Sequence, residues 1–95
     1  MGEAIKIGGL TFDHAAYDAD GDVLYLHIGQ PQPAEGEETP EGHVLRYGAD
    51  GRLVGLTLVN ARWLAVRDGE LTVTMPGPRL HASARDLAGV LGLAG

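Results

Sequence analysis

Asp18, Asp20 and Asp22 stand at alternate positions, the spacing with which oxygen ligands open a calcium loop. Such a site needs hard carboxylate oxygens converging on one cation, which makes this triplet the sharpest metal candidate in the chain. The rest of a calcium loop does not follow. Its sixth position is Val23, where glycine makes the sharp turn, and its twelfth is Gly29, where a bidentate Glu closes the shell. An acidic turn leading into a strand is the plainer reading. The histidines His14, His27, His43 and His81 are scattered singly along the chain. With no close-spaced ligand pair among them they read as polar groups at sheet margins, a histidine and carboxylate metal site being the alternative.

Nucleophilic chemistry has little to draw on. Ser83 is the only serine and there is no cysteine, so thiolates, disulfides and Cys-ligated zinc are excluded. No G-x-S-x-G elbow, phosphate loop or dinucleotide glycine pattern is present. The carboxylates of residues 35 to 41 lie in a Pro- and Glu-rich stretch, where solvated side chains lack the fixed geometry that paired acids need. The expectation is a non-catalytic protein with no cofactor.

The elements that would position these residues are hairpins. Gly8-Gly9, Asp50-Gly51 and Asp68-Gly69 each carry two-residue turn chemistry between alternating apolar residues. Around the first, Ile7 faces Leu10 and Ile5 faces Phe12. Around the second, Tyr47 pairs with Val54, Leu45 with Leu56 and His43 with Leu58. Around the third, Val66 meets Leu71 and Leu64 meets Val73, which leaves Trp63 on the opposite face. A further strand, Val23 to Ile28, alternates in the same way and is expected to pair with residues 43 to 48, Leu26 against Leu45. That register brings Tyr25 and Arg46 together on the outer face, with Arg46 over the Tyr25 ring. Residues 29 to 42 read as an acidic, solvated loop.

Pro76-Gly77 ends the strand pattern in a type II turn. A short helix over about 84–93 follows, with Ser83 as its cap, Asp86 as the box partner, and Leu87, Val90 and Leu91 on one face. Tyr17 to Leu26 and Tyr47 to Leu56 echo one another at a spacing of 30 residues, and shared hairpin grammar accounts for two copies more economically than a repeat array. The fold expected is mainly β: antiparallel hairpins forming a small roll or sandwich, with one short C-terminal helix, in a single domain spanning 1–95.

At 95 residues, with 44% hydrophobic and 21% charged, the composition is that of a small globular domain. The net charge of −6 is unevenly spread: residues 1 to 50 carry ten acids against Lys6 and Arg46, whereas residues 51 to 95 carry three acids against five arginines. An acidic field opposes phosphate backbones, so nucleic acid is not an expected partner. No apolar run approaches the length of a membrane span or signal core, and Lys6 stands where a myristoylation signal wants Ser or Thr. The expected setting is cytoplasmic, without membrane contact.

The run Tyr17-Asp18, Asp22-Val23-Leu24-Tyr25-Leu26, a Glu/Pro loop, then Val44-Leu45, Tyr47 and Asp50-Gly51-Arg52-Leu53-Val54-Gly55-Leu56 resembles domain-of-unknown-function family 2283, over about residues 15–61. The resemblance implies a small β-rich fold and no activity. Arg46, Gly48 and Thr57 replace residues that are commonly acidic there, so a ligand role for those acids would be lost or altered here. Residues 47 to 57 are also similar to one YD-type shell repeat, a class that a single copy argues against.

The functional expectation is a protein-interaction module or small homo-oligomeric structural protein. It would meet another copy or a small protein partner through a sheet edge or through Trp63, Arg62, Arg46 and Tyr25. The alternative is a metal- or small-ligand-binding protein, with possible hydrolytic activity, built on Asp18, Asp20 and Asp22.

Overall fold

The computed structural model describes residues 5–7, 10–29, 33–74 and 80–92. These form nine strands and two helices: β1 (Ile5–Ile7), β2 (Leu10–Phe12), β3 (His14–Asp18), β4 (Val23–His27), β5 (Glu35–Glu38), β6 (Val44–Tyr47), β7 (Leu53–Val59), α1 (Ala61–Asp68), β8 (Glu70–Val73), β9 (Leu80–Ser83) and α2 (Ala84–Leu91). Every strand pairing is antiparallel. A five-stranded sheet in the order β3-β4-β7-β6-β5 is accompanied by two ribbons, β1-β2 and β8-β9. The mainly β, antiparallel class read from the sequence is the one observed.

Alternation in β4 and β7 decides which face of the large sheet is dry. Leu26 opposes Leu56, which opposes Leu45, and Leu24 opposes Leu58, so one row of leucines crosses three strands. Ile5, Ile7 and Phe12 from the first ribbon, Leu71, Val73 and Ala82 from the second, and Ala61, Ala65, Leu87 and Leu91 from the helices join them in one buried cluster. Both ribbons and both helices therefore contribute to the leucine side. On the other face Ala16, Tyr25 and Arg46 are exposed.

The first expected hairpin has the register read from sequence, Ile5 with Phe12 and Ile7 with Leu10. The second keeps Leu45 with Leu56 and Arg46 with Gly55, but an irregularity between Arg46 and Tyr47 brings Tyr47 opposite Leu53 instead of Val54. A five-residue turn causes this. Gly48 N–H donates to the Arg52 carbonyl and Gly51 N–H to the Gly48 carbonyl, both at 2.9 Å, with Gly51 at φ +80°. His43 precedes β6 and does not pair with Leu58. Instead its N–H donates to Thr39 Oγ1 at 3.1 Å and its carbonyl accepts the Thr39 N–H at 2.7 Å.

The third expected hairpin is not formed. Residues 61–68 are α1, and β8 pairs with β9, not with residues 63 to 66. Gly69 supplies the positive φ that an Asp-Gly hairpin also needs, but as a helix C-cap: it sits at φ +76° and its N–H donates to the Ala65 carbonyl at 2.9 Å. Helix wins over hairpin because Ala61 and Ala65, four residues apart, go into the core together.

Three further expectations change. β4 lies between β3 and β7 rather than beside β6, because a strand at 14–18 and a hairpin turn precede it. The acidic stretch 29–42 contains β5, whose Glu35 to Glu38 pair with Tyr47 to Val44. Arg46 does not lie over Tyr25: its Nε donates to Thr57 Oγ1 at 3.1 Å. The C-terminal helix falls within its expected span, with Leu87 and Leu91 buried and Val90 packed against the core. The Gly8-Gly9 loop residues, the Pro76-Gly77 turn and the Asp86 side chain lie outside the described residues.

Candidate functional site

The Asp18-Asp20-Asp22 triplet forms the connection from β3 to β4, and its carboxylates turn to different tasks. Asp18 Oδ1 accepts the N–H groups of Asp20 at 3.1 Å and Gly21 at 3.4 Å, a local turn that closes the hairpin. Asp20 stays exposed. Asp22, at φ +54°, faces away toward α1.

A helix begins with N–H groups that have no internal partner. In α1 all of these go to Asp22. Its carbonyl accepts Ala61 N–H at 3.0 Å, and its carboxylate accepts Arg62 N–H at 2.8 Å and Trp63 N–H at 3.1 Å. The first bond inside the helix, Leu64 N–H to the Asn60 carbonyl, follows directly. Asn60 occupies the usual capping position but makes no side-chain cap bond. The Tyr17 hydroxyl donates to the same carboxylate at 2.7 Å. Partial burial opposes ionisation of Asp22, and the donors from Tyr17, Arg62 and Trp63 outweigh it, so its carboxyl titrates below the ordinary range. Tyr17, hydrogen-bonded to that anion, is pushed up.

The four expected interface residues divide into two places. Tyr25 and Arg46 share the outer face of the large sheet, joined through Thr57, which opposes Tyr25 and accepts from Arg46. Arg62 and Trp63 are on α1 and exposed. Trp63 retains 56% of its accessible surface and Val66, three residues on, retains 68%. The Arg67 guanidinium lies 4.4 Å from the Trp63 ring centre. Trp63 is thus a surface residue, and the covered position that a sheet would have given it does not exist.

The two edges of the large sheet differ sharply. On β5 the side chains Glu35, Glu37 and Glu38 are all exposed, a charged edge of the kind that deters strand addition. On β3 the sequence is His14-Ala15-Ala16-Tyr17-Asp18, with residues 14, 16 and 18 exposed. Among the described residues no backbone hydrogen bond leaves β3 except toward β4.

The end of that edge holds two histidines that sequence reading left apart. His14 and His27 oppose one another across β3 and β4, with ring centres 6.2 Å apart. Gly29, at φ +72°, fixes their surroundings with both halves of its backbone: its N–H donates to the Asp13 carboxylate at 3.1 and 3.2 Å, and its carbonyl lies 3.0 Å from His27 Nδ1. The signal missed was β3 itself. Ala15 and Tyr17 alternate with polar residues and Asp18 to Asp22 is turn chemistry, which together set His14 against His27.

A cleft of about 390 Å³ lies between the 39–43 turn and α1-β8, lined by Glu41, His43, Arg67 and Glu70 among others. Its groups are largely committed. Glu41 receives both the N–H and the hydroxyl of Thr74, and these donors, acting against partial burial, hold its carboxyl down to about 2. Arg67 pairs with Asp68 at 2.8 Å. Val59 N–H donates to His43 Nδ1 at 3.0 Å. Among the described residues no three His, Asp or Glu groups gather in a metal-binding arrangement, and no helix is long and apolar enough to cross a membrane.

The class so defined is an antiparallel β protein whose large sheet has an acidic edge at β5 and, at β3, an edge from which no backbone hydrogen bond among the described residues leaves except toward β4. The chain belongs to the family described as protein of unknown function (DUF2283), whose model matches residues 14–62, about half its length. The match runs from β3 into α1 and so takes in the whole five-stranded sheet. No curated protein and no solved structure matches the chain.

Proposed function

We propose that the protein is a non-catalytic interaction module that assembles with a second copy of itself through the outer edge of β3. The observation that carries this reading is the contrast between the edges: three exposed carboxylates on β5, none of the same kind along the middle of β3. A strand edge presents a row of unpaired donors and acceptors, and adding a strand there costs little reorganisation. Antiparallel pairing centred on Ala16 sets His14 against Asp18 of the second copy twice, by symmetry, with Ala16 facing Ala16 at the centre. The charges are complementary whenever histidine is protonated and tolerant when it is not.

Ala16→Lys tests it, because Ala16 is exposed and a lysine there leaves the monomer core alone while placing two like charges at the two-fold axis. Sedimentation velocity should show a wild-type dimer at about 100 µM or below, weakened at least tenfold in the variant with an unchanged melting temperature. A wild-type protein that stays monomeric throughout that range overturns the reading. So does a dimer that Ala16→Lys leaves intact and Trp63→Ser dissociates, which would move the contact to α1.

A further inference from the structure

We propose that His14 and His27 form a binding site for a divalent transition-metal ion of the zinc class, at the end of the β3-β4 pair. The inference shares His14 with the strand-edge assembly but does not require it, and it concerns residues that no sequence motif joins.

The first support is tautomeric. A backbone carbonyl only accepts, so the 3.0 Å contact between His27 Nδ1 and the Gly29 carbonyl places the ring proton on Nδ1. In the neutral ring the Nε2 atom then carries a free lone pair. That is the arrangement found in metal-ligating histidines, whose second nitrogen donates to a carbonyl or carboxylate that holds the ring in place. His27 Nε2 is buried and has no hydrogen-bond partner. His43 makes the contrast. There Nδ1 accepts from Val59, so Nε2 bears the proton and has no lone pair to offer.

The second support is spacing. With Zn–N bonds of about 2.0 to 2.1 Å and a tetrahedral angle, two imidazoles on one ion have ring centres roughly 5 Å apart. The observed 6.2 Å is about 1 Å wider, a gap that turning the exposed His14 ring closes without movement of either strand. His14 is exposed and can turn about its own side chain, while His27 is held.

The third support is the anchoring carboxylate. Asp13 grips Gly29 N–H with both oxygens, and Gly29 in turn holds His27. This relay orients the ligand. Two protein ligands leave two positions of a tetrahedral zinc for water or for a donor from another molecule.

The test is calorimetric titration of the chelator-stripped full chain with zinc chloride, alongside NMR of the imidazole nitrogens. The expected result is one saturable site per chain with Kd below about 1 mM, and perturbation of His27 Nε2 with its Nδ1 proton retained. His14→Ala, on an exposed side chain, should weaken binding at least about tenfold and leave the fold intact, as should His27→Ala. His43→Asn should leave it unchanged. No saturable heat up to about 1 mM zinc overturns the proposal. Binding that survives His14→Ala but disappears in Asp18→Asn/Asp20→Asn also overturns it, by moving the ion to the β3-β4 turn. Neither result bears on dimer formation, which is measured in chelator.

Discussion

The Asp22 carboxylate accepts the backbone N–H of Trp63 at 3.1 Å, across 41 residues of sequence. With Arg62 and Ala61 bound to the same residue, the entry into α1 is capped from a distant hairpin turn rather than from its own leading residue. Asp22→Ala should therefore destabilise the protein by about 2 kcal/mol, the upper end for loss of a helix cap, read as a lower urea midpoint. Asp22→Asn should cost less than half as much, since Asn tolerates the positive φ and still offers an acceptor. Tyr17→Phe removes one donor of the set and should cost about 1 kcal/mol. Equal losses for Ala and Asn would mean that the carboxylate bonds do not hold α1.

That remote cap explains where sequence reading stops. The pairing of β1 with β2 is legible because the four apolar residues that set its register, Ile5, Ile7, Leu10 and Phe12, are local. The helix at 61–68 is not, because its N-terminal partner lies in the turn after β3 and Asn60 gives no capping bond of its own. Asp68-Gly69 is ambiguous by nature: a type I′ turn and a helix C-cap both want glycine at positive φ, and only the burial of Ala61 with Ala65 separates them. The same limit hid the histidine pair. Until β3 is recognised, His14 has no strand to stand on and no reason to meet His27. Asp22, a metal candidate by its spacing in the sequence, accepts the Arg62 and Trp63 N–H groups at the start of α1 in the fold.

His43 should make stability sensitive to mild acid. Burial lowers its pKa, against the weaker upward pull of Glu41. The unfolded chain then takes up a proton near the ordinary value of 6.5 that the folded ring refuses. Its contribution is complete above that value and is lost as pH falls from there toward the lower folded pKa. Urea midpoints measured from pH 8 to pH 5 should fall, and His43→Asn, which retains an acceptor for Val59 N–H, should flatten the slope over that window. A slope unchanged by the substitution would assign it to other groups.

Gly55 should resist even the smallest side chain. A Cβ there would come within 3.1 Å of the Leu26 carbonyl oxygen and 3.5 to 3.6 Å of Arg46 carbons. Arg46 can move, but the Leu26 carbonyl belongs to the neighbouring strand in the middle of the sheet. Gly55→Ala is expected to cost about 1 to 3 kcal/mol by overcrowding, whereas alanine in place of the exposed Thr11 should change stability by less than about 0.5 kcal/mol. Comparable effects at the two positions would show that β4 and β7 part easily at this point.

Trp63 separates two kinds of importance. Large aromatic side chains usually stabilise by burial, yet this one is 56% exposed and its defined contact is Arg67, one turn further along α1. An exposed cation–π pair contributes about 0.5 to 1 kcal/mol, so Trp63→Ser should lower stability by no more than about 1 kcal/mol. Leu56→Ala, in the middle of the leucine row, should cost about 2 to 5 kcal/mol on the same scale. Because the Asp22 bonds reach the Trp63 backbone and not its ring, Trp63→Ser leaves the cap in place and α1 formed. A folded Trp63→Ser protein that still dimerises would leave β3 as the contact. A loss approaching that of Leu56→Ala would instead mean that the indole packs against the fold in solution.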